Sequence, residues 1–267
     1  VTGDSRLAPV GYRWVRDISR APLTAVIEAA REAGHERVFV KRLLSRGQID
    51  PRAREAFARE AAITEALARA GARVAPFVSA GTDAHGPYLV TGALAAEALA
   101  PLAANELDVA VARAAFAALA SVHAAEDARG PLGVVHHDVH LDNVVLAGGK
   151  AWVVDFGLAT ARVDVCAGSA PDPGIFRGTV RYAAPEAARG EATSPSSDRF
   201  SLAASLLHRA TAIDPRGEAS APAELLYRAG SEPLDRWLAA LPRSPLVDAL
   251  APLLAFDAHD RPTAPAW

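Results

Sequence analysis

Thirteen residues near the middle of the chain constrain it most: Val134-Val135-His136-His137-Asp138-Val139-His140-Leu141-Asp142-Asn143-Val144-Val145-Leu146. Eleven residues after Asn143 begins a second run, Val154-Asp155-Phe156-Gly157. Asp138, Asn143 and Asp155 stand at the edges of short apolar segments. Loops held by a rigid scaffold project side chains from such places. Two carboxylates and an amide oxygen are hard ligands, suited to Mg²⁺ that also holds phosphates.

The length, 267 residues, fits one large domain or two unequal lobes with a sizeable core. At 51% apolar residues the chain is too hydrophobic to be disordered. The 28 basic and 31 acidic residues nearly balance, which gives no footprint for nucleic acid or an anionic membrane. A single cysteine, Cys166, excludes a disulfide framework and a Cys-based zinc site. No charge-free apolar stretch is long enough to span a bilayer, and the start shows no signal-peptide pattern. A cytoplasmic protein is the expectation. Lysine occurs only twice, as Lys41 and Lys150, against 26 arginines. Arg and Lys differ in shape and hydration, so a compact ammonium kept at one position calls for a reason. Lys150 follows Gly148-Gly149 in a turn; Lys41 ends the apolar run Val38-Phe39-Val40.

Along the chain, Val38-Phe39-Val40 reads as a buried strand ending at Lys41. Asp50-Pro51 opens a helix that Gly71 stops. Tyr88-Leu89-Val90 is a strand entered through the turn Asp83–Pro87. Asn105 is expected to cap an Ala-rich helix running to about Ala124, with Val111, Ala115, Leu119 and Val122 on one face. Val144–Leu146 and Trp152–Val154 are short strands. A loop rich in Pro and Gly spans about 165–178, and helices broken by Pro follow from Pro185. Strands first and helices after predict an α+β protein of two lobes, with the boundary just after Val90.

The chain resembles the protein kinase family, whose catalytic loop reads H-R-D-x-x-x-x-N and whose metal loop reads D-F-G. His136-His137-Asp138 and Asn143 match the first, and Asp155-Phe156-Gly157 the second. Val38–Lys41 resembles V-A-I-K, and Glu60, nineteen positions later, fits the helix Glu that pairs with that Lys. Gly178–Glu186 resembles the end of the activation segment, closing on A-P-E. Ser197-Asp198 resembles the start of the central helix, and Arg261-Pro262-Thr263 the late Arg that pairs with the A-P-E Glu. The likeness runs from about Tyr12 to Thr263, and the chain ends at Trp267, where the family usually carries one more helix.

The resemblance implies a bilobal kinase fold, with a strand-rich small lobe over residues 10–92 and a helical large lobe over 93–267. It implies ATP and Mg²⁺ as cofactors. Lys41 and Glu60 would serve the phosphates, with Val26, Phe39, Gly92, Leu94 and Val145 around the base. Asn143 and Asp155 would hold metal, and Asp138 would orient the acceptor hydroxyl and take its proton. The implied reaction is phosphoryl transfer to a Ser or Thr hydroxyl of a protein partner, with Thr179 matching the Ser/Thr type.

The departures are specific. The family's loop glycines would fall at Ser19, Ala21 and Thr24, and no Gly occurs from Tyr12 to Ala33. Gly lets backbone N–H groups approach a phosphate, and Pro22 removes one N–H altogether. Phe39 replaces a small Ala, and such a ring is expected to compete for the purine space, with rotation outward or stacking on a shifted base as the alternatives. His137 replaces the Arg that receives activation-loop phosphate, so phosphate on Thr160, Ser169 or Thr179 lacks its usual receiver. His140 replaces a Lys, a spelling closer to small-molecule phosphotransferases of the aminoglycoside and choline type. Those relatives lack the Gly178–Glu186 segment. Two alternatives to the protein kinase reading therefore stand: a pseudokinase that binds or scaffolds with weak or no ATP use, and a small-molecule kinase.

Overall fold

The computed structural model describes residues 5–94, 96–98, 107–162, 164–165, 176–219 and 221–267. Five strands, β1 (Tyr12–Arg20), β2 (Thr24–Arg31), β3 (Arg37–Leu43), β4 (Phe77–Asp83) and β5 (Gly86–Gly92), form an antiparallel sheet. Their order is β1-β2-β3-β5-β4. Between β3 and β4 lie α1 (Ser45–Gln48) and α2 (Pro51–Arg69). The Asp50 side chain caps α2 by accepting from the Arg52 N–H, and Pro51 takes the first helical position, where its missing N–H costs nothing. Gly71 follows the helix with φ +75°, a conformation that favours glycine.

Period-two alternation decides what β3 shows to each side. Val38 and Val40 are buried with Leu7, Ile27 and Val90 on the outer face of the sheet. Phe39 and Lys41 therefore face the other way, toward the rest of the chain. There Leu43, Phe57 and Leu89 form a small core that seats α2 against the sheet.

The remaining elements build a helical body. α3 (Val109–His123) precedes the short pair β7 (Glu126–Asp127) and β8 (Gly130–Pro131). β9 (Val144–Ala147) and β10 (Lys150–Val153) pair antiparallel, and β6 (Ala96–Ala98) joins β9 on its other side. Then come α4 (Pro185–Ala188), α5 (Pro195–Thr211), α6 (Pro222–Ser231), α7 (Asp235–Ala240) and α8 (Pro245–Leu250). The fold is thus α+β and bilobal. Its main core gathers Leu119, Val122, Phe156, Phe200, Leu206 and Leu250, all at most 2% exposed. Burial of that order contributes about 1.5–3 kcal/mol per large side chain.

Five sequence expectations shift. β3 runs past Lys41 to Leu43. Val154 lies beyond β10. Asn105 falls outside the described residues, and the α3 cap is Asp108, whose carboxylate accepts from the Val111 N–H at 2.9 Å. Val111 is only half-buried, so the buried face of α3 is Ala112, Ala115, Phe116, Leu119 and Val122. The prolines after residue 185 begin helices: Pro185, Pro195, Pro222 and Pro245 each sit in a first turn.

Candidate active site

Lys41 leaves β3 on the inner face and meets two carboxylates. Its Nζ donates to Glu60 Oε1 at 2.7 Å, to Glu60 Oε2 at 2.9 Å and to Asp155 Oδ1 at 2.8 Å. Glu60 is buried on α2, and a stem of Leu67, Ile63 and Thr64 fixes that face of the helix inward. Desolvation works against the Lys41 ammonium, but Glu60 and Asp155 outweigh it and hold its pKa above the ordinary value. One cation faces two carboxylates. Burial pushes the Glu60 carboxyl up despite the pull of Lys41. Desolvation also opposes Asp155, yet Lys41 draws its carboxyl below the usual range.

The catalytic-loop segment is hung from α5. Buried Asp198 accepts from the His136 N–H at 2.8 Å, the His137 N–H at 2.9 Å and His123 Nε2 at 2.9 Å. Burial raises the cost of its charge, and His123 with the other donors outweighs that, so the Asp198 carboxyl lies low. His136 is fully buried; its Nδ1 accepts from the Asp138 N–H, its Nε2 faces the Val154 carbonyl at 3.1 Å, and its ring packs on Phe156. These contacts fasten the segment of Asp138 to that of Asp155.

Asp138 Oδ1 accepts from the Thr179 N–H at 2.8 Å and lies 3.7 Å from His140 Nε2. Desolvation resists its ionisation, but the donors of His140 and Thr179 prevail and keep it a carboxylate at neutral pH. Gly178 is required beside it: at φ +112°, an added Cβ would meet the His137 carbonyl at 2.7 Å. Asn143 donates from Nδ2 to the Asp138 carbonyl at 2.9 Å. That commits the amide NH₂ and leaves its oxygen as the group for a ligand.

A cavity of about 530 Å³ opens between the sheet and β9–β10, within the usual range for a small-molecule site. It collects Val26, Phe39, Lys41, Glu60, Gly92, Leu94, Asn143, Val145 and Asp155 from six separate stretches of chain. Asp138 lies outside it and lines an adjoining hollow of about 200 Å³ that Lys41, Glu60 and Asp155 share. Phe39 is in the cavity wall and half-buried; its ring narrows the space without closing it. Thr91, opposite Phe39 in the β3–β5 register, lines the same wall, as do Arg16 and Ile18 of β1. Only the strand register places Thr91 there, and the sequence does not display that register.

The roof is an ordinary hairpin. Ser19 pairs with Val26 and Arg20 with Ala25, and the Ala21 N–H is spent on the Thr24 carbonyl at 2.8 Å. The Leu23 carbonyl accepts from the Leu44 N–H at 2.7 Å, which pins the turn to the end of β3. With Pro22 lacking an N–H, this turn offers little to a phosphate.

His137 is held by hydroxyls. Its Nε2 lies 2.8 Å from Thr160 Oγ1 and its Nδ1 3.2 Å from Thr193 Oγ1. Burial outweighs the nearby Asp198 and pushes its pKa down. Ser169 falls outside the described residues. Glu186 and Arg261 form the expected pair, bidentate at 2.7 and 2.8 Å. Oxygen donors at Asn143 and Asp155 suit Mg²⁺. Among the described residues no group of three or more His, Cys, Asp or Glu side chains forms a metal cage. No described helix is long and apolar enough to cross a membrane.

Lys41, Glu60 and Asp155 meet on one side and Asp138 and Asn143 on the other, hung from α5, and the chain belongs to the protein kinase family. The family model "Protein kinase domain" matches residues 17–266. The chain is 31% identical over 218 residues to the probable serine/threonine-protein kinase PkwA of Thermomonospora curvata, covering 79% of this chain and 27% of that protein. It is 32% identical over 195 residues to the serine/threonine-protein kinase PknA of Mycobacterium tuberculosis, covering 72% and 44%. A tyrosine-protein kinase, MasK of Myxococcus xanthus, shares 33% over 145 residues, covering 53% and 22%. The chain thus spans less than half the length of these curated relatives.

Proposed function

We propose that this chain is a catalytically competent protein kinase domain that transfers the γ-phosphoryl group of ATP to a Ser or Thr hydroxyl of a protein. The carrying observation is the Lys41–Glu60–Asp155 cluster, formed at 2.7–2.9 Å beside the Asp138–Asn143 loop. Phosphoryl transfer asks for positioning and charge neutralisation more than covalent help. Lys41, held by Glu60, reaches the phosphates. Val26, Phe39, Gly92, Leu94 and Val145 enclose the base. Asp155 and the amide oxygen of Asn143 hold Mg²⁺, which when bound offsets the phosphate charge. Asp138 accepts the hydrogen bond of the acceptor hydroxyl and then its proton, and Thr179 fixes that carboxylate through its N–H. We place the lobe boundary after Gly92, with lobes of 10–92 and 93–267.

The glycine-free, pinned β1–β2 turn favours a second reading, a pseudokinase with weak nucleotide use. A thermal-shift titration with ATP, with and without Mg²⁺, separates the two, because a ligand of the native state stabilises it by RT ln(1 + [L]/Kd). A Mg²⁺-dependent rise in Tm, lost in Asp155→Asn, supports competence. No shift at millimolar ATP overturns it.

A further inference from the structure

A second hollow, of about 450 Å³, shares no lining residue with the active-site cavity. Among the described residues Arg6, Arg20, Arg42, Arg46 and His85 line it, and no carboxylate does. The hollow is assembled from separate parts: the end of β1, the end of β3, helix α1 and the β4–β5 turn.

These arginines are not equivalent. Arg42 is 1% exposed and fully engaged: Nη1 and Nη2 grip Asp83 at 2.7 and 2.9 Å, Nε donates to the Leu7 carbonyl, and Nη1 also to the Gly86 carbonyl. It builds the floor and neutralises Asp83. That carboxylate, the nearest one engaged there, is consumed by Arg42 and by the His85 N–H at 2.8 Å. Arg20 and Arg46 are exposed, and neither forms an ion pair with a described residue. Two guanidinium groups thus stand uncompensated at the rim of one concavity. Like charges held together in a concave site repel one another, and an anion relieves that cost while gaining bidentate hydrogen bonds. The lining has no aromatic wall beyond His85, so nothing is built to stack a base. Gln48 closes one side, its Nε2 tied to the Leu43 and His85 carbonyls at 2.9 and 2.8 Å. Arg42 and Gln48 thus fix the floor and one wall.

We propose that this hollow is a binding site for a compact phosphate-class polyanion, gripped by Arg20 and Arg46 and distinct from the nucleotide cavity. The ends of β1 and β3 reach both places: Ser19 lines the nucleotide cavity and Arg20 the anion hollow.

The test is calorimetric titration of the full chain with inorganic tripolyphosphate at constant ionic strength. Arg20→Ala and Arg46→Ala are each expected to weaken binding by about tenfold, the scale of one charge-assisted contact, and the double variant more. Both side chains are exposed, and unchanged Tm values establish that the variants fold. Lys41→Ala is expected to retain binding, because Lys41 belongs to the other cavity. Binding lost in Lys41→Ala and kept in the two arginine variants assigns the polyanion to the nucleotide cavity and overturns the proposal. Tighter binding of a singly phosphorylated serine peptide than of tripolyphosphate also overturns it, by assigning the arginines to protein-borne phosphate. So does the absence of any saturable binding.

Discussion

Arg261 meets Glu186 through two parallel hydrogen bonds, at 2.7 and 2.8 Å, with the two residues 5% and 7% exposed. Ser197 adds a third donor to Glu186 at 2.7 Å, and the guanidinium lies over the Phe200 ring. The end of the activation segment is thereby bolted to α5 and to the loop of Ala255 and Phe256, whose carbonyls accept from the same Arg. Removing one partner strands a buried charge. Arg261→Ala should cost about 3–5 kcal/mol of unfolding free energy in urea. Arg261→Lys should recover only part of this, because an ammonium cannot reproduce the fork. A loss below about 1 kcal/mol, as for an exposed pair, would contradict the assignment.

Acid should weaken the fold by a route with a known sign. Asp198 and Glu186 have carboxyls held below their ordinary values, by His123 and backbone donors and by Arg261 respectively, against the cost of burial. A folded pKa below the unfolded one gives stability that is present above the unfolded value and lost as pH falls through the folded one. His137 shifts the same way because burial disfavours its charged form, so its contribution starts to fall below about pH 6.5. Urea unfolding should show a steep decline below about pH 4, whereas near pH 6.5 His140, raised against burial by Asp138 and Asp142, works opposite to His137. Stability that stays level down to pH 3 would refute this.

Phosphate on the activation segment should not be needed for activity. His137, where the family's phosphate-receiving Arg stands, is already bonded to Thr160 and Thr193 and is kept neutral by burial. Phosphatase treatment should leave the rate of a purified sample unchanged within about twofold. Silencing by phosphatase would show that another cation receives the phosphate.

Phe39→Ala should weaken ATP binding. The ring forms part of a wall that leaves about 530 Å³ open, so a base has room to lie against it. An aromatic contact is worth about 0.5–1.5 kcal/mol beyond burial, or roughly two- to twelvefold in Kd. The stability cost should stay below the about 3–5 kcal/mol of a fully buried ring, since Phe39 is half-buried. Tighter ATP binding in the variant would show that the ring obstructs the base, as the sequence alone suggested.

Much of the site was legible because motif spacing survives without tertiary knowledge. Asp138, Asn143 and Asp155 announce themselves by position, and Lys41 by rarity and by its place at the end of an apolar strand. The pairing of Glu186 with Arg261 could be read across 75 positions only through family likeness. What was hidden depended on register or on packing. Thr91 enters the cavity only because β5 pairs with β3 in one particular register. The α3 start moved to Asp108 because an Ala-rich helix has many near-equivalent registers, and its buried face is chosen by the partners it packs against. The hydroxyl clasp of His137 joins residues 23 and 56 positions away, which no local pattern encodes. The pinning of the β1–β2 turn by Leu44 is likewise a long-range bond.

Phosphoryl transfer by Lys41, Asp138, Asn143 and Asp155 is the activity proposed for this chain. Its most direct test is transfer of the γ-phosphate of ³²P-labelled ATP, with Mg²⁺, to the chain itself and to a panel of Ser- and Thr-containing peptides, comparing the wild type with Asp155→Asn and Asp138→Asn. The wild type should incorporate label into Ser or Thr, and each variant should lose at least about a hundredfold, with Tm within a few degrees of wild type. Equal incorporation by Asp155→Asn, or none by the wild type under saturating Mg²⁺ and ATP, would contradict it.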